Sequence, residues 1–317
     1  MNINAVKAKK RAAYGKKSVW KKIYDYRVLY LFLLPAILWF SIFGYIPMYG
    51  LTLAFRDYRF DMGLWHSPWI GMKYVKDFFN YFQFWNLIRN SFVISLVKII
   101  FGFPAPIILA LLLNEVKHAK FKKNIQTLSY LPYFVSWVVV ATMFIKILSP
   151  NNGMINNIRM AFGAGEQIFF LGEVKYFYIT VVFSEIWKNI GYNSIIYLAA
   201  VSGVDPNLYE AAKIDGAGRW KQTLYVTLPG IKFVVCIMLI LSMGGLMKAG
   251  FEQILLFQTP PTLPYSDVLE TYSLRMGMRR GEFSYATVVT LFQNVVCLMF
   301  ITITNYIVKK VSKVSVW

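Results

Sequence analysis

Apolar residues fall in six long runs, near 28–53, 88–113, 126–148, 177–202, 228–248 and 286–308, with polar stretches between them. Each run has roughly the 20 residues needed to cross about 30 Å of hydrocarbon. Inside lipid every backbone donor and acceptor has to be satisfied within its own segment, so the runs are predicted to be helices. The short alternating strands of a membrane barrel are missing. The pattern therefore predicts an all-α polytopic membrane protein with six spans. Pro35, Pro104, Pro106 and Pro132 lie within or near the starts of runs, where local kinks are expected.

Composition agrees with the pattern. The 317 residues are 57% hydrophobic and only 15% charged, with mean hydropathy +0.48, whereas soluble domains carry about 25% charge. The net charge of +19 does not make a nucleic-acid interface, because much of it sits in the N-terminal tail and in short loops beside apolar runs. With the N-terminus placed inside, the inner segments hold 19 Lys and Arg and the outer loops nine. That bias puts both termini in the cytoplasm of a multi-pass membrane protein.

The expected parts are then a basic tail at 1–27, a first span and external loop at 28–85, a core at 86–308 and a short basic tail at 309–317. The N-terminal tail is either a solvated orienting segment or an interfacial helix that turns Val19, Trp20, Ile23 and Tyr24 toward the acyl boundary. It is not a cleavable signal peptide, since the apolar run behind it is too long. The loops at 54–86 and 249–285 mix aromatics with turn residues and are expected to pack as ordered caps. Cys236 and Cys297 lie in apolar runs and read as buried small hydrophobes, and no spacing suggests a metal site.

One polar interval stands apart. Glu210–Pro229, EAAKIDGAGRWKQTLYVTLP, is a charged island between two apolar runs. Asp205-Pro206 can start a helix, with Asp as cap and Pro in the first turn. Gly216 can end it by taking positive φ. A second short helix, Arg219 to Tyr225, is expected to lead to Leu228-Pro229, where the next span opens. Two short helices with alanines on one face make a compact knob that another backbone can approach. On physics alone an ordinary structured loop is the favoured reading.

The spacing E-A-A-x3-G-x9-[IV]-x-L-P, met here by Glu210, Ala211, Ala212, Gly216, Val226, Leu228 and Pro229, resembles the cytoplasmic signature loop of permease subunits in binding-protein-dependent ABC importers. Val226 stands where Ile is common. Further stretches, FGFPAPIILALLLNEVK, LSYLPYFVSWVVVA, IWKNIGYNSIIYLAAVSGVDPNLYEAAKIDGAGRW and YSLRMGMRRGEFSYATVV, resemble the carbohydrate branch, especially permeases for alginate and aldouronate-type saccharides. The resemblance covers roughly residues 80–310. It implies a type I importer permease fold in the inner membrane, with Glu210, Ala211, Ala212, Asp215, Gly216, Leu228 and Pro229 forming a coupling helix seated on an ATPase subunit. It also implies a second permease, two ATPase subunits, an external binding protein and a saccharide, leaning to an acidic one.

This chain has no phosphate-binding loop of its own. Gly15-Lys16-Lys17-Ser18 lacks the upstream glycine and any strand–helix setting. The expectation is a non-enzyme that binds no cofactor, with ATP and Mg held by partner chains. Intramembrane polar groups are candidates for the substrate path. They are Tyr133, Ser136 and Trp137 on the third span and Lys188, Asn193, Ser194 and Tyr197 around the fourth. Each of these also has an ordinary packing role open to it. Lys98, Lys146 and Lys188 could favour an anionic sugar or snorkel to the interface. The runner-up is an ion-coupled secondary transporter acting alone, for which the span regions offer little beyond Glu185. A non-transporting scaffold would explain the knob but not the polar aromatics.

Overall fold

The computed structural model describes residues 24–163 and 165–315. Most of the tail reading, with Val19, Trp20 and Ile23, lies outside them. The described residues are organised in helices, and one isolated bridge joins Arg56 to Trp69. The chain divides into a unit ending at Leu53 and a larger one from Ala54 to Trp317. In the first, α1 (Arg27–Phe40) carries Pro35 inside it and passes through a π turn, Ser41–Tyr45, into Ile46–Met48.

The larger unit begins with a cap. Its short helix α2 (Lys73–Phe79) precedes α3 (Phe84–Gly102) and α4 (Pro104–Glu115). The cap is ordered by polar bonds, as its composition suggested. The Arg56 guanidinium donates to the carbonyls of Leu64, Trp65 and Ser67 at 3.3, 2.9 and 3.2 Å. The Tyr74 hydroxyl donates to Asp57 at 2.7 Å. That bond, helped by Arg59, holds the Asp57 carboxyl below the usual carboxylate range, while burial and the same carboxylate push Tyr74 up to about 12.

Helix α5 (Ala119–Tyr130) leads through a tight turn, Leu131–Phe134, into α6 (Trp137–Ile147), followed by α7 (Met154–Ala161) and the 29-residue α8 (Val174–Ser202). The knob begins with α9 (Pro206–Ile214) and α10 (Arg219–Gln222), and α11 (Leu228–Met243) follows. A second cap holds α12 (Phe251–Phe257) and α13 (Leu269–Leu274), and α14 (Phe283–Ser312) closes the fold. This cap is tied to α3. Asn90 donates to the carbonyls of Pro264 and Asp267 at 2.9 and 3.0 Å, and the Leu269 amide donates to Ser91 at 2.9 Å. A cluster with Phe78, Phe84, Leu87, Tyr272 and Val289 at its centre packs α2, α3, α13 and α14 together.

Three expectations change. The third run does not cross as one helix. It breaks after Phe134 and its halves meet at 100°, because the extended backbone of Val135 and Ser136 (ψ 134° and 153°) interrupts the ladder. The fifth run ends at Met243 rather than 248, and residues 244–250 are irregular. The second knob helix does not stop before Pro229. Arg219–Met243 is one 25-residue helix, because a π turn at Thr223–Thr227 lets the ladder skip the amide that proline lacks.

Four described helices are long and apolar enough to cross a membrane, Arg27–Phe55, Phe84–Glu115, Arg219–Met243 and Phe283–Ser312, and the bent pair makes five. The remaining expected span, the fourth run (α8), has the length but not the apolar composition. Its buried residues explain why: Phe177, Thr180, Val181, Ser184, Lys188, Gly191, Ser194, Tyr197 and Val201 recur at helical spacing. That stripe faces protein, mainly α4 and α3, so its polar groups are not asked to sit in lipid.

Candidate functional site

Both breaks occur beside α8, and a lysine from a neighbouring helix serves each. Where α5 ends, Lys188 of α8 donates to the carbonyls of Pro132, Tyr133 and Val135, the first two at 3.3 and 2.8 Å. Its ammonium also lies 5.6 Å from the ring centroids of both Tyr133 and Trp137. Tyr133 stacks on Tyr192 at 3.8 Å with the rings 5° from parallel. Ser136 caps α6 by accepting from the Val139 amide at 3.4 Å. Gly191 makes the junction possible, since a Cβ there would stand 2.0 Å from the Ser129 carbonyl oxygen.

At the second break the lysine is Lys98, from the middle of the α3–α4 run. It donates to the Ala249 carbonyl at 2.8 Å and to Gln253 at 2.6 Å, and pairs with Glu185 at 3.0 Å. Asn189 donates to the other Glu185 oxygen at 2.7 Å. Gln253 in turn donates to the Val181 carbonyl and Ser184, both at 2.8 Å. Irregular backbone at membrane depth is tolerated where protein or a polar cavity surrounds it, and here both do.

The cavity beside this break has a volume of about 380 Å³. Trp137, Asn193 and Tyr197, all expected from the sequence, line it together with Lys98, Glu185, Asn189, Ser242 and Lys248. Tyr133, Ser136, Lys188 and Ser194 are not among its lining residues. The first three serve the break below α6, and Ser194 is fully buried with its hydroxyl on the Gly191 carbonyl at 2.6 Å. Lys146 is exposed and also outside the lining. In the sequence Lys98 and Glu185 stand 87 positions apart, and Lys248, Asn189 and Gln253 carry no signal of their own. A Lys and a Glu each inside a predicted span was the one signal that could have paired them.

The knob is built differently. Asp205 caps α9 by accepting from the Asn207 amide at 2.9 Å, as expected. Gly216 ends it with φ +75°, a conformation that only glycine adopts at no cost. The Ala217 amide then bonds back to the Ala212 carbonyl at 2.8 Å. Gln222 donates to the Ala217 carbonyl at 2.7 Å, and Tyr209 meets Thr227 at 3.0 Å. Glu210, Ala211, Asp215, Gly216 and Pro229 are exposed, with Ala212 and Leu228 half-buried. Ile214, Trp220 and Tyr225 are 86%, 72% and 76% exposed. The segment thus leaves three large apolar side chains and the Glu210 carboxylate at the surface.

These features define a helical, polytopic membrane protein with interrupted spans around a polar cavity and an exposed knob between two helical segments. The chain belongs to the family of binding-protein-dependent transport system inner membrane components, whose model matches residues 102–313. It is 43% identical to Protein LplB of Bacillus subtilis over 89% of this chain and 88% of that protein. It is 39% identical to the polygalacturonan/rhamnogalacturonan transport system permease protein YteP of the same organism, over 95% and 94%. Among solved structures, a chain of a bacterial alginate ABC transporter, in complex with an alginate pentasaccharide-bound periplasmic protein, is 37% identical. It superposes with a TM-score of 0.87 over 95% of this chain and all of that one.

Proposed function

We propose that this chain is one permease of an ATP-driven importer for an acidic, uronate-containing oligo- or polysaccharide. The observation that carries the reading is the presence, in one chain, of an exposed knob whose Glu210 has no side-chain partner among the described residues and a polar cavity where spans are interrupted. A knob alone suits a scaffold and a cavity alone suits a self-sufficient transporter. Together they suit a conduit moved from outside itself. The substrate class is supported by whole-length likeness to permeases named for polygalacturonan and alginate.

In this mechanism ATP and Mg bind in two partner ATPase subunits, and this chain performs no hydrolysis. The knob, with Glu210, Ala211, Ala212, Asp215, Gly216, Leu228 and Pro229, seats on one ATPase, and Glu210 meets a basic group there. Closure of the ATPases moves α9. The continuous Arg219–Met243 helix carries that motion without a joint toward Gly245, Lys248 and Gly250, which line the cavity. A second, related permease completes the pathway, and a binding protein delivers saccharide to the outer side, with both termini of this chain in the cytoplasm. Trp137 offers a face for a pyranose, and Asn193 and Tyr197 offer polar atoms. The remaining candidates, Tyr133, Ser136, Lys188 and Ser194, act through the geometry of the break.

The test is reconstitution with the partner subunits. Glu210→Arg should insert normally but lose ATPase stimulation by loaded binding protein; full stimulation would sink the knob assignment. Uptake that survives without ATP yet collapses with the ion gradient would instead favour a secondary transporter. In that reading Glu185 would have to leave Lys98 to carry an ion.

A further inference from the structure

The cavity holds two lysines, and among the described residues only one of them is tied by an ion pair and side-chain hydrogen bonds. Lys98 is bound by Glu185, Ala249 and Gln253. Lys248 lines the same cavity with an exposed side chain. Among the described residues it has neither an ion pair nor a side-chain hydrogen bond, and Glu185, the one acidic residue of the lining, is already held by Lys98 and Asn189. Glu270 is the carboxylate that feels Lys248, but it is not part of the lining and accepts from the backbone amides of Gly250 and Ala249.

The backbone on both sides of Lys248 is pinned. Gln293 donates to the Met247 carbonyl at 2.8 Å, and Lys98 to the Ala249 carbonyl at 2.8 Å. Met247 and Ala249 are 2% and 0% exposed. An exposed ammonium between two buried, anchored neighbours is presented to the cavity by a rigid frame, which is how a binding group is kept in place. Lys248 also sits beside Lys98, and Lys98 is 14 residues into the Phe84–Glu115 run, about 21 Å from its start at 1.5 Å per residue. An ionisable side chain at the cavity between spans, without an ion pair among the described residues, is a candidate functional group because burying it is costly.

We infer that Lys248 reads the carboxylate of the passing saccharide, while Lys98, neutralised by Glu185, holds the interrupted span in shape. The inference rests on the acidic-saccharide reading and assigns it a residue. It makes Lys248 a specificity-determining group and removes Lys98, Lys146 and Lys188 from that role.

The experiment uses the complete reconstituted transporter with its binding protein. Short galacturonate, mannuronate and guluronate oligosaccharides are first screened for the one that the wild-type complex imports. Uptake of that sugar is then measured for K248Q, K248R and K98Q, beside ATPase stimulation by loaded binding protein and the melting temperature of each variant. K248Q should keep its melting temperature and its stimulation by binding protein, yet import the uronate about 10- to 100-fold more slowly, the size of a lost bond to a charged group. K248R should recover most of the rate. K98Q should instead lower the melting temperature. Wild-type uptake of a uronate that K248Q matches would overturn the assignment of Lys248, and so would a K248Q that loses rate only in step with its melting temperature. A wild-type complex that imports neutral saccharides and no uronate would overturn the acidic-substrate reading itself, and the inference with it.

Discussion

The two interrupted spans solve one problem with opposite electrostatics. At residues 131–136, Lys188 donates to three carbonyls and lies over two aromatic faces, and among the described residues it makes no close ion pair. At residues 244–250, Lys98 meets a carbonyl, an amide oxygen and a full carboxylate. Lys188 is 7% exposed, and the Glu185 side chain is 30% exposed. The first junction is thus a dry joint, where a charge is tolerated because three freed carbonyls surround it. The second is wetted by the cavity and balanced by a counter-ion. A dry joint fixes geometry. A balanced pair beside a cavity can hold shape without adding net charge where a charged substrate passes.

The contrast can be broken, starting with its most sensitive point. Gly191→Ala would push a methyl into the Ser129 carbonyl at 2.0 Å, where backbone must move. We expect loss of several kcal/mol or failure to accumulate in the membrane, measured by expression level and detergent melting temperature. Lys188→Met should follow, stranding three carbonyls at about 1–3 kcal/mol for each left unsatisfied. Its melting temperature should fall while the charge of the cavity is unchanged. Lys98→Met leaves Glu185 with Asn189 alone. Breaking a buried pair costs about 3–5 kcal/mol, and the partial exposure of Glu185 should reduce that to below the effect of Lys188→Met. Glu185→Gln combined with Lys98→Met should restore part of the loss. If the double variant is no more stable than Lys98→Met alone, the balanced-pair description fails.

Two smaller effects mark the far ends of the scale. Arg219 pairs with Glu115 at 3.8 Å with side chains 63% and 42% exposed, so Arg219→Ala should change stability by about 0–1 kcal/mol. In the first cap the lowered Asp57 carboxyl favours the folded cap at neutral pH. That contribution is present above the unfolded carboxylate value and is lost as pH falls through the lower folded value. Protection of the residue 56–79 amides, taken relative to their intrinsic exchange rates, should therefore fall in acid, and Asp57→Asn should remove that pH dependence. The raised Tyr74 hydroxyl works in the other direction, favouring the cap below pH 10 and losing that effect near 12.

Sequence periodicity located the apolar runs because lipid imposes a long, uniform pattern, and the knob was legible because its cap, glycine and proline act locally. The breaks were not. Pro132 hinted at a kink, but a 100° turn depends on Lys188 reaching from 53 residues away to the Val135 carbonyl. The end of α11 at Met243 was hidden because 244–248 continue an apolar run. Beyond Met243 the irregular backbone is held by remote donors, Gln293 on the Met247 carbonyl and Lys98 on the Ala249 carbonyl. Trp137, Asn193 and Tyr197 were legible as polar or aromatic residues in spans. Lys248 passed unnoticed because it stood at the edge of an expected span, where a lysine usually snorkels.

The π turn at Thr223–Thr227 gives the knob one more property. It widens a single helical turn between α10 and α11 and leaves Arg219–Met243 unbroken. The segment that begins in the knob and the Met238 and Ser242 positions at the cavity therefore belong to one rod, so that tilting either end would displace the other.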